Sequence, residues 1–123
     1  MLRVLVVDDQ HEVVESTVML IKKFGHDARA VNNGSDAIAA IIDYAPHVAL
    51  VDIDMPNMDG WETTRLIRAR PEGYNMLLVA LFAHGQEQDM QKSLEAGFDD
   101  HFVKPVNGDD LDSLLNAIDP RCR

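Results

Sequence analysis

Val48-Ala49-Leu50-Val51-Asp52-Ile53-Asp54-Met55-Pro56-Asn57-Met58-Asp59-Gly60 is the stretch that decides the fold. Four apolar residues without polar alternation end on an aspartate, and turn chemistry follows. An unbroken apolar run of this length reads as a strand covered on both faces. The amino terminus repeats the pattern, with Leu2-Arg3-Val4-Leu5-Val6-Val7 running into Asp8-Asp9. Near the other end Phe102-Val103 runs into Lys104-Pro105. As parallel strands of one sheet, the three runs would bring three carboxylates and an ammonium to its carboxyl edge, where open α/β sheets bind ligands.

Helical stripes separate the apolar runs. Val14, Val18 and Ile21 with Val13, Thr17, Leu20 and Phe24 predict a helix over 10–24, capped by Asp9 and ended by Gly25. Residues 27–31 read as a second strand. After the Asn32-Asn33-Gly34 turn, Ile38, Ile41, Ile42 and Ala45 predict a helix over 35–45, stopped by Pro46. The strand over 48–52 is expected at the centre, with a helix over 61–70 broken by Pro71-Glu72-Gly73. A fourth strand over 75–82, a helix over 86–96 with a thin stripe (Met90, Leu94), and a fifth strand over 101–103 follow. Asn107 caps a last helix carrying Leu111, Leu114, Leu115 and Ile118, with Asp109 and Asp110 suiting its positive end. Strict alternation of this kind implies an α/β fold, a five-stranded parallel sheet with right-handed crossovers and helices on both faces.

At 123 residues the chain is expected to be a single domain, 1–123, with 119–123 as the possible start of a truncated linker. A net charge of -10 argues against nucleic-acid binding, which rests on neutralising phosphates with Lys and Arg. It favours a small cation or a basic partner surface. The one cysteine, Cys122, permits no internal disulfide and fits a reducing, cytoplasmic setting. No apolar stretch is long enough to span a bilayer, and Met1-Leu2-Arg3 enters a strand with no signal-peptide layout.

Three clustered aspartates repel one another. At roughly 4 Å and an effective dielectric of about 20, each pair costs on the order of 4 kcal/mol. Protonation or a divalent cation offsets that repulsion. Carboxylates plus a backbone carbonyl at an open site suit Mg²⁺ more than Ca²⁺. Asp9 and Asp52 are the expected direct ligands, with the Asp54 carbonyl as a third and Asp8 acting through water or by orienting its neighbours. Taken singly, Asp8 or Asp9 could simply cap a helix, Asp52 could end a strand, and Lys104 could reach along the surface to water. Taken together at one edge, they read as a site. Pro105 restricts Lys104 and admits a cis bond, which can aim the amine at the carboxylates.

In these residues the chain resembles a response-regulator receiver domain of two-component signalling. The resemblance covers nearly the whole chain. It is carried by Asp8-Asp9, by Val51 to Gly60, by Ala80-Leu81-Phe82-Ala83 and by Lys104-Pro105. It implies a flavodoxin-like sheet with strand order 2-1-3-4-5. It also implies Asp52 as the acceptor of a phosphoryl group from a phosphohistidine on a histidine kinase or histidine phosphotransfer protein. Mg²⁺ on Asp9 and Asp52, Lys104, and the backbone N–H groups of Ile53 and Ala83 would neutralise or bind the phosphoryl oxygens. Asp54 and His84 match positions that tune hydrolysis. The clear departure is Phe82, where the family usually carries Thr or Ser; His101 stands at the position of its partner in switching. Phosphorylation is therefore expected to survive while the hydroxyl-driven switch does not. The output domain or target protein is expected outside this chain, and the style of 55–70 leans toward a hybrid kinase.

Rival readings remain. A haloacid-dehalogenase-type phosphatase also ends a strand on Asp-x-Asp, and Asp52-Ile53-Asp54 fits it as nucleophile and general acid. That family usually puts the motif on its first strand in a longer chain, and Asp8-Asp9 would go unexplained. A flavodoxin-type cofactor binder shares the fold class, but the turn Asp8-Asp9-Gln10-His11 would repel a phosphate. A P-loop is absent. A degenerate receiver that binds its partner without phosphorylation is the third alternative.

Overall fold

β3 (Val48–Asp52), buried at every position, forms the middle of a five-stranded sheet with β1 (Arg3–Val7), β2 (Asp27–Val31), β4 (Leu77–Phe82) and β5 (Asp100–Val103). In this computed structural model, which describes residues 1–55, 58–83 and 87–118, every strand pair is parallel and the order is β2-β1-β3-β4-β5. Five helices alternate with the strands: α1 (His11–Lys23), α2 (Gly34–Asp43), α3 (Gly60–Arg68), α4 (Met90–Ala96) and α5 (Gly108–Asn116). This is the α/β architecture expected from the alternation of runs and stripes.

Side chains of the central strands point alternately to two cores, because successive residues of a strand face opposite sides. Leu5, Val7, Ala49, Val51, Leu78, Ala80 and Phe82 pack with Ala37 and Ile41 of α2 and Ile67 of α3. Val4, Val6, Leu50, Val79 and Leu81 pack on the other face with Ile21 of α1 and Leu111 and Leu115 of α5. Each fully buried large aliphatic side chain contributes about 1.5–3 kcal/mol, which holds the sheet edge as a rigid frame.

Several boundaries differ from the sequence reading, each for a local reason. Asp9 does not cap α1; Gln10 occupies the cap position and no side chain caps the helix. The Gln10 N–H instead donates to Asp8 Oδ1 at 2.9 Å. α2 starts at Gly34 because Asn33 accepts from the Asp36 N–H, and it is over before Ala45, whose φ of 52° is left-handed. α3 starts at Gly60 because Asp59 accepts from the Glu62 N–H at 2.9 Å. β4 begins at Leu77, two residues later than expected, and β5 at Asp100, one residue earlier. A 3-10 turn, Glu87–Asp89, takes up the start of the helix expected over 86–96. α4 itself leaves Leu94 exposed and is tied to α3 by polar contacts. The Trp61 indole donates to Ser93 Oγ at 2.9 Å, and the Lys92 ammonium lies over the Trp61 ring. The expected cap on α5 is present, since Asn107 accepts from the N–H groups of Asp109 and Asp110.

Candidate functional site

Strand register brings the acids together. Val7 lies opposite Val51, so the residues that follow, Asp8 and Asp52, come side by side at the carboxyl edge of the sheet. Asp52 lies opposite Leu81 and Phe82 opposite Val103, which places the end of β5 at the same edge. Carboxylate oxygens of Asp8, Asp9 and Asp52 all lie within 4.8 Å of one another. Asp8 and Asp52 are buried and Asp9 is exposed. Next to them opens a cleft of about 400 Å³ whose lining includes Asp8, Asp9, Asn32 and Asp36.

Lys104 joins the cluster from β5. Its backbone N–H donates to the Phe82 carbonyl at 2.8 Å, and the Lys104–Pro105 bond is cis. Its ammonium lies 3.3 Å from Asp8 Oδ2, 3.3 Å from Asp52 Oδ1 and 2.9 Å from Gln10 Oε1. The side chain is only 9 % exposed, so the pairing acts in a medium that screens it little. Sequence reasoning missed Gln10. A glutamine at a strand-to-helix turn carries no chemical signature, and its contact is made across 94 residues of chain.

Asp52 sits at the meeting point. Its Oδ1 also accepts from the Asp54 N–H at 3.1 Å. Burial, and then the Asp8 charge, push the Asp52 carboxyl up to about 7; the Asp54 N–H and Lys104 pull the other way. The loop after it is closed tightly. The Gly60 N–H donates to the Ile53 carbonyl, and a Cβ at Gly60 would collide with the Asp52 carbonyl oxygen. Only glycine permits that approach.

The other expected residues fall as follows. Asp54 is exposed and its carboxylate lies outside the group of three acids. The Ile53 N–H donates to the Leu81 carbonyl at 3.3 Å, a long bond that would have to yield before this N–H served a ligand. Phe82 is fully buried, and its ring centroid is 5.3 Å from that of half-buried His101, with the planes tilted by 40°. Ala83 follows β4 and is half-buried. His84 and residues 119–123 lie outside the described residues. For Mg²⁺, the donor set fits: three carboxylates, all hard oxygen ligands, at a site that keeps an open side.

The raised Asp52 value has a consequence for stability. The native carboxyl holds its proton more tightly than the unfolded one, at 3.8, so unfolding releases a proton between about pH 4 and 7. Stability is therefore lost as pH rises through that window. Asp52→Asn is expected to be the more stable protein at pH 8 without Mg²⁺, by up to about 4 kcal/mol, and to lose this advantage near pH 4. Urea denaturation at the two pH values checks it.

A family model described as response regulator receiver domain matches residues 4–116. Among solved structures, the receiver domain of a sensor histidine kinase from Pseudomonas aeruginosa, with a magnesium ion coordinated in its active-site cleft, is 26% identical. Its TM-score is 0.85, and the match covers 94% of both chains. The signal receiver domain of a signal transduction histidine kinase from Syntrophus aciditrophicus is also 26% identical, with a TM-score of 0.84, covering 94% of this chain and 88% of that one. A chemotaxis protein from Vibrio cholerae matches at 23% identity over 100% of this chain and 99% of its own, with a TM-score of 0.87, a likeness of fold.

Proposed function

Because the chain belongs to the response regulator receiver domain family, and so to two-component phosphorelay signalling, we propose that its Asp52 accepts a phosphoryl group from a phosphohistidine of a partner protein. Receiver domains pair with histidine kinases and output domains. The partner proposed here is a histidine kinase or histidine phosphotransfer protein, and the setting is the cytoplasm, which the lone cysteine suits. No helix among the described residues is long and apolar enough to cross a membrane.

One observation carries the reading: a single ammonium spans Asp8 and Asp52 at 3.3 Å each, beside a third carboxylate. A capping or strand-ending role for the acids needs no such cation. In the proposed step an Asp52 carboxylate oxygen attacks the phosphorus. The O–P bond forms as the P–N bond breaks, and the imidazole leaves with the bonding pair and takes up a proton from solvent. Lys104 follows the charge from the carboxylate to a phosphoryl oxygen. Asp8 and Asp9, with Asp52, would hold Mg²⁺, which when bound neutralises charge on the acids and the phosphoryl group. The Asp54 N–H keeps the Asp52 carboxylate oriented at 3.1 Å. Asp54 and His84 are proposed to set how long the phosphoryl group survives.

Phe82 shapes the outcome. With a phenyl ring in the core and no hydroxyl, β4 offers no side-chain donor to the new anion at that position. The ring instead packs on His101, so the pair is proposed to couple the site to the far face by packing alone.

The chain is proposed to be a phosphoacceptor rather than an enzyme. Stoichiometry tests this. Acetyl phosphate with Mg²⁺ is expected to load a single phosphoryl group per chain, with no sustained turnover of p-nitrophenyl phosphate. Repeated turnover would favour a phosphatase working through Asp52 and Asp54. No uptake from any donor would favour a degenerate receiver.

A further inference from the structure

We propose that Gln10 is a positioning residue for Lys104, an inference that rests on the phosphoacceptor reading of Asp52. A lysine ammonium has three N–H donors and no acceptor. Three oxygens surround this one: Asp8 Oδ2, Asp52 Oδ1 and Gln10 Oε1. Two of the three belong to the β1–α1 turn, and the closest is the amide oxygen of Gln10 at 2.9 Å. Asp8 ties the turn together, since its Oδ1 takes the Gln10 N–H while its Oδ2 takes the ammonium. The two hydrogen-bonded anchors therefore share one turn, and Asp52 Oδ1 lies beside the ammonium as an ion-pair partner at 3.3 Å.

The choice of residue is otherwise unexplained. Gln10 is the cap residue of α1, where Ser, Thr, Asp or Asn would stabilise the helix, and its side chain caps nothing. It is spent on Lys104. An amide oxygen holds the cation without adding a negative charge to a cluster that already has three. When Asp52 becomes an acyl phosphate, the two anchors on the turn can stay while the third N–H is free to meet a phosphoryl oxygen. Two of its three N–H groups then stay in place at the moment of transfer, which is where preorganised charge has its effect. With no hydroxyl at Phe82, the placement of Lys104 carries more of the task.

The test is Gln10→Leu, with Gln10→Glu as the variant that keeps an acceptor at the same reach. Phosphorylation of Gln10→Leu by acetyl phosphate at saturating Mg²⁺ is expected to be about tenfold slower, as for loss of one positioned contact. Its Mg²⁺ affinity by calorimetry should stay within about twofold of wild type, because no metal-ligating oxygen is removed. An independent readout is the Lys104 ammonium signal in nitrogen-15 NMR of the unphosphorylated protein. It should be sharp in wild type and in Gln10→Glu and lost to exchange in Gln10→Leu. A Gln10→Leu protein that is phosphorylated at the wild-type rate, or that keeps the ammonium signal, overturns the inference. If wild type itself takes up no phosphoryl group, the phosphoacceptor reading fails instead, and the tether would have no reaction to serve.

Discussion

Threonine in place of Phe82 is expected to speed phosphorylation of Asp52 by about tenfold to a hundredfold while lowering stability by about 3 kcal/mol. The two effects have separate causes. A hydroxyl at the end of β4 would supply a donor to the developing anion, a contact whose loss elsewhere costs two to three orders of magnitude. The gain should be smaller than that loss, because the surroundings are shaped to a ring. The cost comes from the core. Phe82 is wholly buried among Leu78, Ala80 and the α2–α3 side chains, and truncating such a ring leaves a cavity. His101, now 5.3 Å from the ring centroid, loses its neighbour. Lys104 should hold its place, since its N–H bonds to the Phe82 carbonyl and not to the side chain. Acetyl phosphate kinetics and urea denaturation on the same preparation read both numbers. A stable variant that is no faster would show that a missing hydroxyl does not limit this site.

Removing the cation is expected to be more damaging. Lys104→Met keeps length and apolar bulk but leaves Asp8 and Asp52, both buried, facing each other without a counter-charge. Breaking a buried pair in this way costs about 3–5 kcal/mol. The loss should depend on pH. Asp52 already sits near 7 through burial and the Asp8 charge, and without Lys104 it is pushed higher still. Below that value the carboxyl is neutral and the repulsion is gone. Lys104→Met should therefore lie well below wild type in stability at pH 8, approach it near pH 5, and be partly restored at pH 8 by Mg²⁺. Phosphorylation should fall by about a hundredfold or more, because the phosphoryl anion loses its fixed cation. Equal losses of stability at pH 5 and pH 8 would mean that Lys104 acts by packing and not by charge.

The contrast between these residues shows what a sequence makes visible. β1 and β3, and the body of β4, are plain because strands buried on both faces need continuous apolar runs. β2, with Arg29 and Ala30 exposed at the sheet edge, has a weaker pattern, yet the glycine and asparagine turns that flank it mark its limits. Helix starts are hidden where a glycine opens the first turn, as at Gly34 and Gly60, because the capping side chains lie one residue earlier than the apolar stripe reveals. The acids and Lys104 were legible as a group because each ends an apolar run. Gln10 was not, since its partner is fixed by strand register and not by local spacing. Asp9 is no cap for a related reason: the turn is held by Asp8, whose buried carboxylate serves the N–H of Gln10, just before the helix, and the ammonium together.

Intact-protein mass spectrometry after acetyl phosphate treatment, with Mg²⁺ or with a chelator, decides whether this carboxyl edge is a phosphoryl acceptor. Wild type should gain the mass of a single phosphoryl group only when Mg²⁺ is present, hydroxylamine should remove it as an acyl phosphate, and Asp52→Ala should gain nothing. Uptake by Asp52→Ala equal to that of wild type, or no uptake by wild type with Mg²⁺, would contradict the assignment of Asp52.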